Sequence, residues 1–530
     1  MISNREKKCS TSISDLPNEI FDKVISYLNV EDRKTASLVC SRWSLFAFSR
    51  IALADVLLEI NCAQCNTADY WTVLRNSSRN YRNLVLKFAD DDDGFLLKIL
   101  DKFQDTLEQI SIEQDQDARL LHTEMSSNYF IQLMQRFVNI KKFEVKTVLE
   151  ILDDLEKCLP TLPYLESICF YTHGLEKEWI DWSTIAPNLK YIGVPLEDEK
   201  SAFPKLIHDC SDQILHLSID ARFVERDELE FCKAKFPHLQ KLRLLYPINL
   251  TTSIGVIRNF IESCCLLTEI SLFSNVIHAD TLETIAKHCI RLQVVNLDSN
   301  DVHPTIFATL SKLPSLRHLI LHKMTVDSAM ITAAACFPAL CQLTCLSIRI
   351  TVPDAFFEQL QKRMPKLTIL ELLDRFRFGI SNFNQTGVVQ AICKNLHSLR
   401  RLALVDWAIL DMSIFGMLHK LDRMTDLRIK CIGLNADQMI TPCSGVKRLV
   451  LDIDSFKPTD TVPPISRTPL AEVIHKTFPK LTSIELRKRF LDRTKISEQE
   501  VTSLHSLMPC CTIYRKTRLN MADREHAALL

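Results

Sequence analysis

The amino-acid sequence predicts an α/β solenoid that is preceded by a short segment of three helices. Three observations indicate this architecture. One apolar pattern recurs along most of the 530 residues. Prolines stand at a fixed distance before many copies of that pattern, and amphipathic segments separate the copies. Such self-similarity is typical of repeat proteins, in which stacked units bury one continuous core.

The repeated pattern is LxxLxL, as in FPHLQKLRL (236–244), LPSLRHLIL (313–321) and FPKLTSIEL (478–486). We take its second apolar position as the anchor of a strand. Val56–Leu58 and Tyr514 would add one unit at each end. Most intervals between anchors fall within the roughly 20–29 residues of leucine-rich repeats. The anchors are Leu84, Ile110, Phe143, Ile168, Ile192, Leu217, Leu242, Ile270, Val295, Leu319, Leu346, Leu370, Leu402, Leu427, Leu449 and Ile484.

Prolines support the same division of the chain. A proline five residues before an anchor ends the preceding helix and extends the backbone into the strand. Segments such as DTLETIAKHC (280–289) have the apolar spacing of a helix. We therefore expect a curved leucine-rich-repeat array with a concave parallel sheet and convex helices. The prolines are Pro163, Pro187, Pro237, Pro314, Pro365, Pro479 and Pro509.

The register of one strand has two solutions. In FPALCQLTCLSI (337–348), Pro338 favours Leu343 as the anchor, whereas the alternation of apolar residues favours Leu346. A shift of register moves side chains to the other face of the strand. Three intervals (110–143, 370–402 and 449–484) are longer than a repeat, and we expect loops there, often on the binding side.

Residues 15–43 read DLPNEIFDKVISYLNVEDRKTASLVCSRW and do not follow the repeated pattern. Ile20, Val24 and Leu28 recur at four-residue spacing, which predicts an apolar stripe along a first helix. Ala36 and Val39 indicate a second helix, and Trp43 a third. One explanation of such a unit is a helical cap that shields the first repeat.

The same stretch resembles the F-box. The resemblance is carried by Leu16-Pro17, Glu19-Ile20, Val24-Ile25, Tyr27-Leu28, Asp32, Ala36, Val39-Cys40 and Trp43. With the repeats, the whole chain resembles the F-box/leucine-rich-repeat proteins, which are substrate receptors of SCF-type ubiquitin ligases. The resemblance implies that the F-box binds a Skp-type adaptor, and through it a cullin and RING scaffold. The repeats would then bind a protein substrate for ubiquitination. A non-degradative leucine-rich-repeat scaffold is the alternative.

These patterns divide the chain into four parts. We expect a disordered tail over residues 1–14, the F-box over 15–50, the solenoid over 51–515 and a C-terminal tail over 516–530. The F-box carries more apolar surface than so small a unit can bury alone, so part of it is expected to meet the adaptor. The adaptor-binding candidates are Leu16, Pro17, Ile20, Val24, Leu28, Val39, Cys40 and Trp43.

Substrate-binding candidates come from the long intervals and the strands, because aromatic and arginine side chains dominate binding energy. Phenylalanines of the second long interval could equally pack on the edge of the repeats. Acidic residues are interleaved with the basic ones on the strands, which favours an ordinary solvated face there. The candidates are Phe376, Arg377, Phe378, Arg401, Trp407, Arg428 and Lys430.

Composition excludes several other functions. The net charge of -1 disfavours nucleic-acid binding, and no apolar run reaches the ~18 residues of a membrane span. No two of the nine glycines are closer than eight residues, which argues against a phosphate-binding loop. We therefore expect no cofactor.

Cysteines and catalytic motifs give the remaining expectations. Cys62 and Cys65 form only half of a zinc site, so we expect no metal. No catalytic motif occurs, which predicts a protein that is not an enzyme. The 19 scattered cysteines, without a secretory signal, indicate reduced thiols and a cytoplasmic or nuclear protein.

Overall fold

The structure is a computed structural model that divides into two compact units, residues 1–238 and 239–530. It describes residues 13, 16–28, 30–61, 68–88, 93–114, 124–125, 127–137, 139–146, 148–149, 159–170, 182–195, 203–220, 230–245, 254–274, 276–299, 301–302, 306–326, 343–350, 355–373, 385–409, 413–431, 442–453, 470–488 and 498–517.

The first unit starts with three short helices, as predicted. They are α1 (Asn18–Ser26), α2 (Val30–Ser37) and α3 (Ser41–Ala47). Each is too short to be stable alone, so their stability comes from packing. A small core holds them together: Phe21, Ile25, Ala36 and Ala52 are buried, and Leu16, Leu28, Trp43 and Phe46 pack against them.

Parallel strands follow in the first unit, joined by helices. The strands described there are β1 (Leu57–Asn61), β2 (Asn83–Phe88), β3 (Gln109–Gln114), β4 (Lys142–Lys146), β5 (Ser167–Phe170), β6 (Tyr191–Pro195) and β7 (His216–Asp220). The helices are α4 (Ala68–Asn76), α5 (Asp93–Phe103), α6 (Ser127–Met134), α7 (Trp182–Ile185) and α8 (Phe203–Asp209), with a short 3-10 helix at Glu230–Lys233.

The anchors of the first unit form one row of register partners. Leu58 pairs with Leu84, and the row continues through Ile110, Phe143, Ile168, Ile192 and Leu217. The six anchors from Leu84 onward are at most 1% exposed. The Phe143 ring lies 5.9 Å from the Phe130 ring of α6, between centroids. The row of anchors therefore faces the helices, as the repeat pattern predicts.

The second unit repeats this arrangement. Its described strands are β8 (Lys241–Leu245), β9 (Glu269–Phe273), β10 (Val294–Asp298), β11 (His318–Val326), β12 (Cys345–Ile350), β13 (Ile369–Leu373), β14 (Arg401–Ile409), β15 (Asp426–Cys431), β16 (Arg448–Ile453), β17 (Ser483–Lys488) and β18 (Thr512–Thr517). Its helices are α9 (Ile254–Ser263), α10 (Ala279–His288), α11 (Ile306–Leu310), α12 (Ala355–Arg363), α13 (Gln385–Asn395), α14 (Ser413–Leu418), α15 (Leu470–Thr477) and α16 (Glu498–Leu507).

The row of anchors in the second unit decides the register of two strands, β12 and β18. Leu346 pairs with Leu319 and Leu370, so Leu346 is the anchor and the alternative at Leu343 is wrong. Ile513, and not Tyr514, pairs with Ile484, so the prediction at Tyr514 is wrong by one residue. The prediction placed the anchor five residues after Pro509, as for the other prolines. The true anchor lies only four residues after Pro509. All other anchors, from Leu242 to Ile484, are register partners as predicted.

Two small parallel ladders were not predicted. Glu124–Met125 pairs with Val148–Leu149, and Val276–Ile277 pairs with Asp301–Val302. Val148–Leu149, Val276–Ile277 and Asp301–Val302 each begin within three residues of the end of a main strand, whereas Glu124–Met125 begins ten residues after Gln114. Residues 374–384 and 454–469 of the other two long intervals lie outside the described residues.

The α/β repeat class is thus confirmed within each unit. Among the described residues, no helix is both long and apolar enough to cross a membrane.

Candidate functional site

Phe21 is the centre of the helical segment. Its ring meets the Trp43 ring edge-on at 5.2 Å and the Phe46 ring at 5.1 Å, between centroids. Phe21 and Ile25 are fully buried, so the inward face of α1 is the Phe21–Ile25 stripe. The indole of Trp43 on α3 therefore completes the core of the segment.

Arg33 joins the helices from within. Its side chain is buried, and its guanidinium donates hydrogen bonds to the carbonyl oxygens of Ile25 (3.3 Å), Ser26 (3.0 Å) and Ala52. The carbonyls at the end of a helix have no partner inside it, so a cation there stabilises the helix end. The guanidinium also lies 3.3 Å from Asp55. Arg33 thus fixes the end of α1 to the chain that enters β1.

Arg42 holds the other end of α1. Its guanidinium donates to the Leu16 carbonyl oxygen (2.6 Å) and to Asn18 Oδ1 (2.9 Å). It also lies over the Phe21 ring, 5.2 Å from the centroid, where a cation is attracted to the ring face. The two arginines leave the remaining apolar residues of α1 on its outer side.

Apolar exposure is concentrated on this segment. Nine of the fifteen large hydrophobic residues that are exposed in the described part of the chain lie within residues 13–53. Leu38 and Val39, in the turn between α2 and α3, are 85% and 62% exposed. An exposed apolar patch of this kind marks an interaction surface. We call these nine residues the apolar surface: Ile13, Ile20, Val24, Tyr27, Val30, Leu38, Val39, Leu45 and Ile51.

The eight adaptor-binding candidates fall into two groups. Pro17, Ile20, Val24, Val39 and Cys40 are exposed. Leu16, Leu28 and Trp43 are half-buried and pack against the core. The predicted stripe through Ile20, Val24 and Leu28 divides, because α1 ends at Ser26 before Leu28 is reached.

Sequence reasoning missed several members of the apolar surface. Leu38 was overlooked although it directly precedes Val39, and Tyr27 although it lies seven residues after Ile20, directly after the end of α1. Residues spaced by four and seven share one face of a helix, so Ile20, Val24 and Tyr27 could have been found together. Leu45 and Ile51 carry no comparable signal.

The sheet of the second unit carries the substrate-binding candidates that can be located. Arg401 and Arg428 each neighbour a buried anchor, so both point to the face opposite the anchors. Arg401 is exposed and lies 3.0 Å from Glu371 on the adjacent strand. Trp407 and Lys430 belong to β14 and β15, but their side chains are outside the described part. Phe376, Arg377 and Phe378 lie outside the described residues altogether.

A polar network extends from Arg401 across this face. Ser347 Oγ donates a 2.9 Å hydrogen bond to Glu371, whose other oxygen meets Arg401. His318 lies on the same face. Burial lowers the pKa of its imidazole, although the charges of Glu371 and Glu269 act in the opposite direction. Glu269 is in turn 3.1 Å from Lys241.

The described part of the chain offers no metal site. Within the described ranges, no three or more His, Cys, Asp or Glu residues are grouped so that they could hold a metal ion. Cys62 and Cys65 lie outside those ranges.

A comparison with known protein families agrees with the helical segment at the start of the chain. Residues 13–53 match the F-box-like family. No curated protein matches the sequence significantly. A solved structure titled "Crystal structure of TLR13-ssRNA13 complex" aligns with 81% of this chain and 60% of that chain, at 14% identity and a TM-score of 0.36. This chain thus spans 60% of that structure's length, and the assignment of the repeats rests on the strand pairing described above. The protein carries an F-box-like domain at residues 13–53, followed by parallel α/β repeats.

Proposed function

We propose that this protein is the substrate-recognition subunit of an SCF-type E3 ubiquitin ligase. The observation that carries the proposal is the apolar surface of the F-box-like domain. The domain would bind a Skp-type adaptor, which connects it to a cullin and RING scaffold, and the repeats would hold a target protein. The protein does no chemistry in this role, because it acts by raising the effective concentration of the target near the conjugating enzyme.

The exposed side chains would contribute to the binding of such an adaptor. Fully burying a leucine or valine side chain contributes about 1.5–3 kcal/mol. Leu38 and Val39 lie side by side in a turn, and Ile20 and Val24 share a face of α1, with Tyr27 directly after its end. These five residues would supply most of the contact area, whereas Leu16, Leu28 and Trp43 would act indirectly by shaping the domain.

The sheet face of the second unit supports the second half of the proposal. Arg401, Arg428, Trp407 and Lys430, with the segment containing Phe376, are the proposed target contacts. The setting of the ligase role is the cytoplasm or the nucleus.

An adaptor pull-down with purified proteins tests the proposal. The double variant Leu38→Ala/Val39→Ala should weaken adaptor binding by about a hundredfold or more, because two contact residues are truncated together. Ile290→Ala is the matched control, since Ile290 is 57% exposed but lies in the second unit. Leu16 is a poor test residue because its loss would also disturb the core around Phe21.

The result separates two classes of function. If the wild-type chain binds no Skp-type adaptor, the ligase proposal fails and a non-degradative scaffold becomes the better explanation. If the double variant binds like the wild type, the apolar surface is not the adaptor site.

A further inference from the structure

On the sheet face of the second unit, Oδ1 of Asn296 and Nε2 of His318 are buried polar atoms without a hydrogen-bond partner among the described residues. Leaving a buried polar atom unpaired is unfavourable, and such atoms call for an explanation where they occur. The two residues lie on adjacent strands, β10 and β11, whose anchors Val295 and Leu319 are register partners. Asn296 follows its anchor and His318 precedes its anchor, so both point to the same face.

Carboxylates flank this pair. Glu269 on β9 and Glu371 on β13 share the face, and their charges act to raise the pKa of His318, whereas the charge of Arg401 acts to lower it. Each carboxylate already has one basic partner, Lys241 or Arg401, but these two belong to the outer strands β8 and β14. On the five strands between them, no lysine or arginine stands directly before or after an anchor. The two charged residues that stand directly beside the anchors of β9–β13 are therefore carboxylates, and the unpaired polar atoms lie between them.

The chemistry of the two residues points to a donor as the missing group. Asn296 Oδ1 is an acceptor, and a neutral imidazole accepts a hydrogen bond at one of its two nitrogens. The lowered pKa of His318, which results from its burial, keeps the ring uncharged near neutral pH. It would therefore not repel an approaching cation.

We propose that the side chains of Asn296 and His318, which are half-buried and whose unpaired atoms are covered in this structure, rotate to receive an arginine or lysine side chain from a basic segment of the target protein, which lies across β9–β13. An arginine fits best because its guanidinium offers five donors in a fixed geometry. Glu269 and Glu371 would favour the cation from both sides. This inference rests on the proposed function, since it names the class of target that the repeats would hold.

A phage-displayed library of random dodecapeptides, selected on the full chain, tests the inference. Selected peptides should share one arginine or lysine, and changing it to alanine should weaken binding by about tenfold, the usual effect of losing a charge-assisted hydrogen bond. The variants Asn296→Leu and His318→Phe should each weaken binding by a similar factor.

Asn296→Asp provides the sharper test, because it keeps the acceptor and adds a negative charge. It should tighten the binding of the selected peptides, which a variant that merely damages the fold would not do. His505→Phe is the matched control, since His505 is exposed on α16.

Three outcomes would overturn the inference: selection of acidic peptides, binding that is unchanged in the variants, or no selected peptide at all. Adaptor binding is measured on the same proteins. If adaptor binding is intact but peptide binding does not depend on Asn296 and His318, only the inference of a basic segment fails. If the wild-type chain binds no adaptor, the proposed function fails.

Discussion

The ring of Trp43 stands edge-on to the ring of Phe21, with centroids 5.2 Å apart and an interplanar angle of 79°. This contact makes Trp43 a part of the domain core, although its position in the F-box pattern implied a place at the adaptor. Edge-to-face pairs add to the stability already gained by burial. Stability and adaptor binding should therefore depend on different residues of the same 41-residue domain.

Trp43→Ala should destabilise the F-box-like domain by about 2–4 kcal/mol, since the substitution removes a large half-buried ring from a small core. Hydrogen exchange of the amides in α1 and α3 measures this effect directly. Leu38→Ala should change the same protection by less than about 0.5 kcal/mol, because Leu38 is exposed. Equal protection in both variants would contradict the division between core and surface.

Arg33→Met should also destabilise the domain, by about 2–4 kcal/mol, because three carbonyl oxygens lose a charged donor while the buried volume is kept. Asp55→Ala should cost less than about 1 kcal/mol, since the Asp55 side chain is 75% exposed and its ion pair with Arg33 is screened by water. Denaturant unfolding monitored by hydrogen exchange compares the two. Similar losses in both would mean that the ion pair, and not the carbonyls, is what Arg33 stabilises.

Glu108 should make the stability of the first unit depend on pH. A hydrogen bond from Lys141 is the main cause that lowers the pKa of Glu108 below 4.5, and the charge of Arg82 adds to it. A carboxylate with a lowered pKa stabilises the fold above its unfolded pKa, and this contribution is lost as the pH falls through its folded pKa. Glu108→Gln should therefore reduce stability at pH 7 by up to about 1 kcal/mol.

Thermal unfolding of the wild type and Glu108→Gln between acidic and neutral pH checks this expectation. The difference between the two proteins should be largest at neutral pH and should shrink as Glu108 becomes protonated. A difference that stays constant over the whole range would show that the substitution acts through packing.

Gly193→Ala should destabilise the first unit by about 1–3 kcal/mol, the usual cost of overpacking. Gly193 and Cys169 are register partners on β6 and β5. A Cβ at position 193 would overlap the Cys169 sulfur and would also approach the Tyr191 ring. The backbone here is that of an ordinary strand, so the expected cost comes from this overlap.

A double-mutant cycle checks the cause. Cys169→Ala removes the sulfur, and in that background Gly193→Ala should cost less than it does in the wild type. Additive losses of unfolding free energy would point to a different origin of the effect.

The repeat architecture followed from local information. All sixteen anchors from Leu84 to Ile484 lie in rows of register partners, because alternation and repeat length are properties of short stretches of sequence. The one misplaced anchor, Tyr514, occurs where a proline stands one residue closer to its strand. The presence of three short helices before the repeats was visible for the same reason.

The sequence by itself determined where most of the main strands lie and that residues 15–43 resemble an F-box. Tertiary packing decided which apolar residues of that domain are buried, because Leu16, Leu28, Leu38 and Trp43 are equally apolar and only the arrangement of three helices around Phe21 distinguishes them. The places of Asn296 and His318 beside two predicted anchors already put them on one face. Only side-chain packing decided that Oδ1 of Asn296 and Nε2 of His318 are buried without a partner among the described residues.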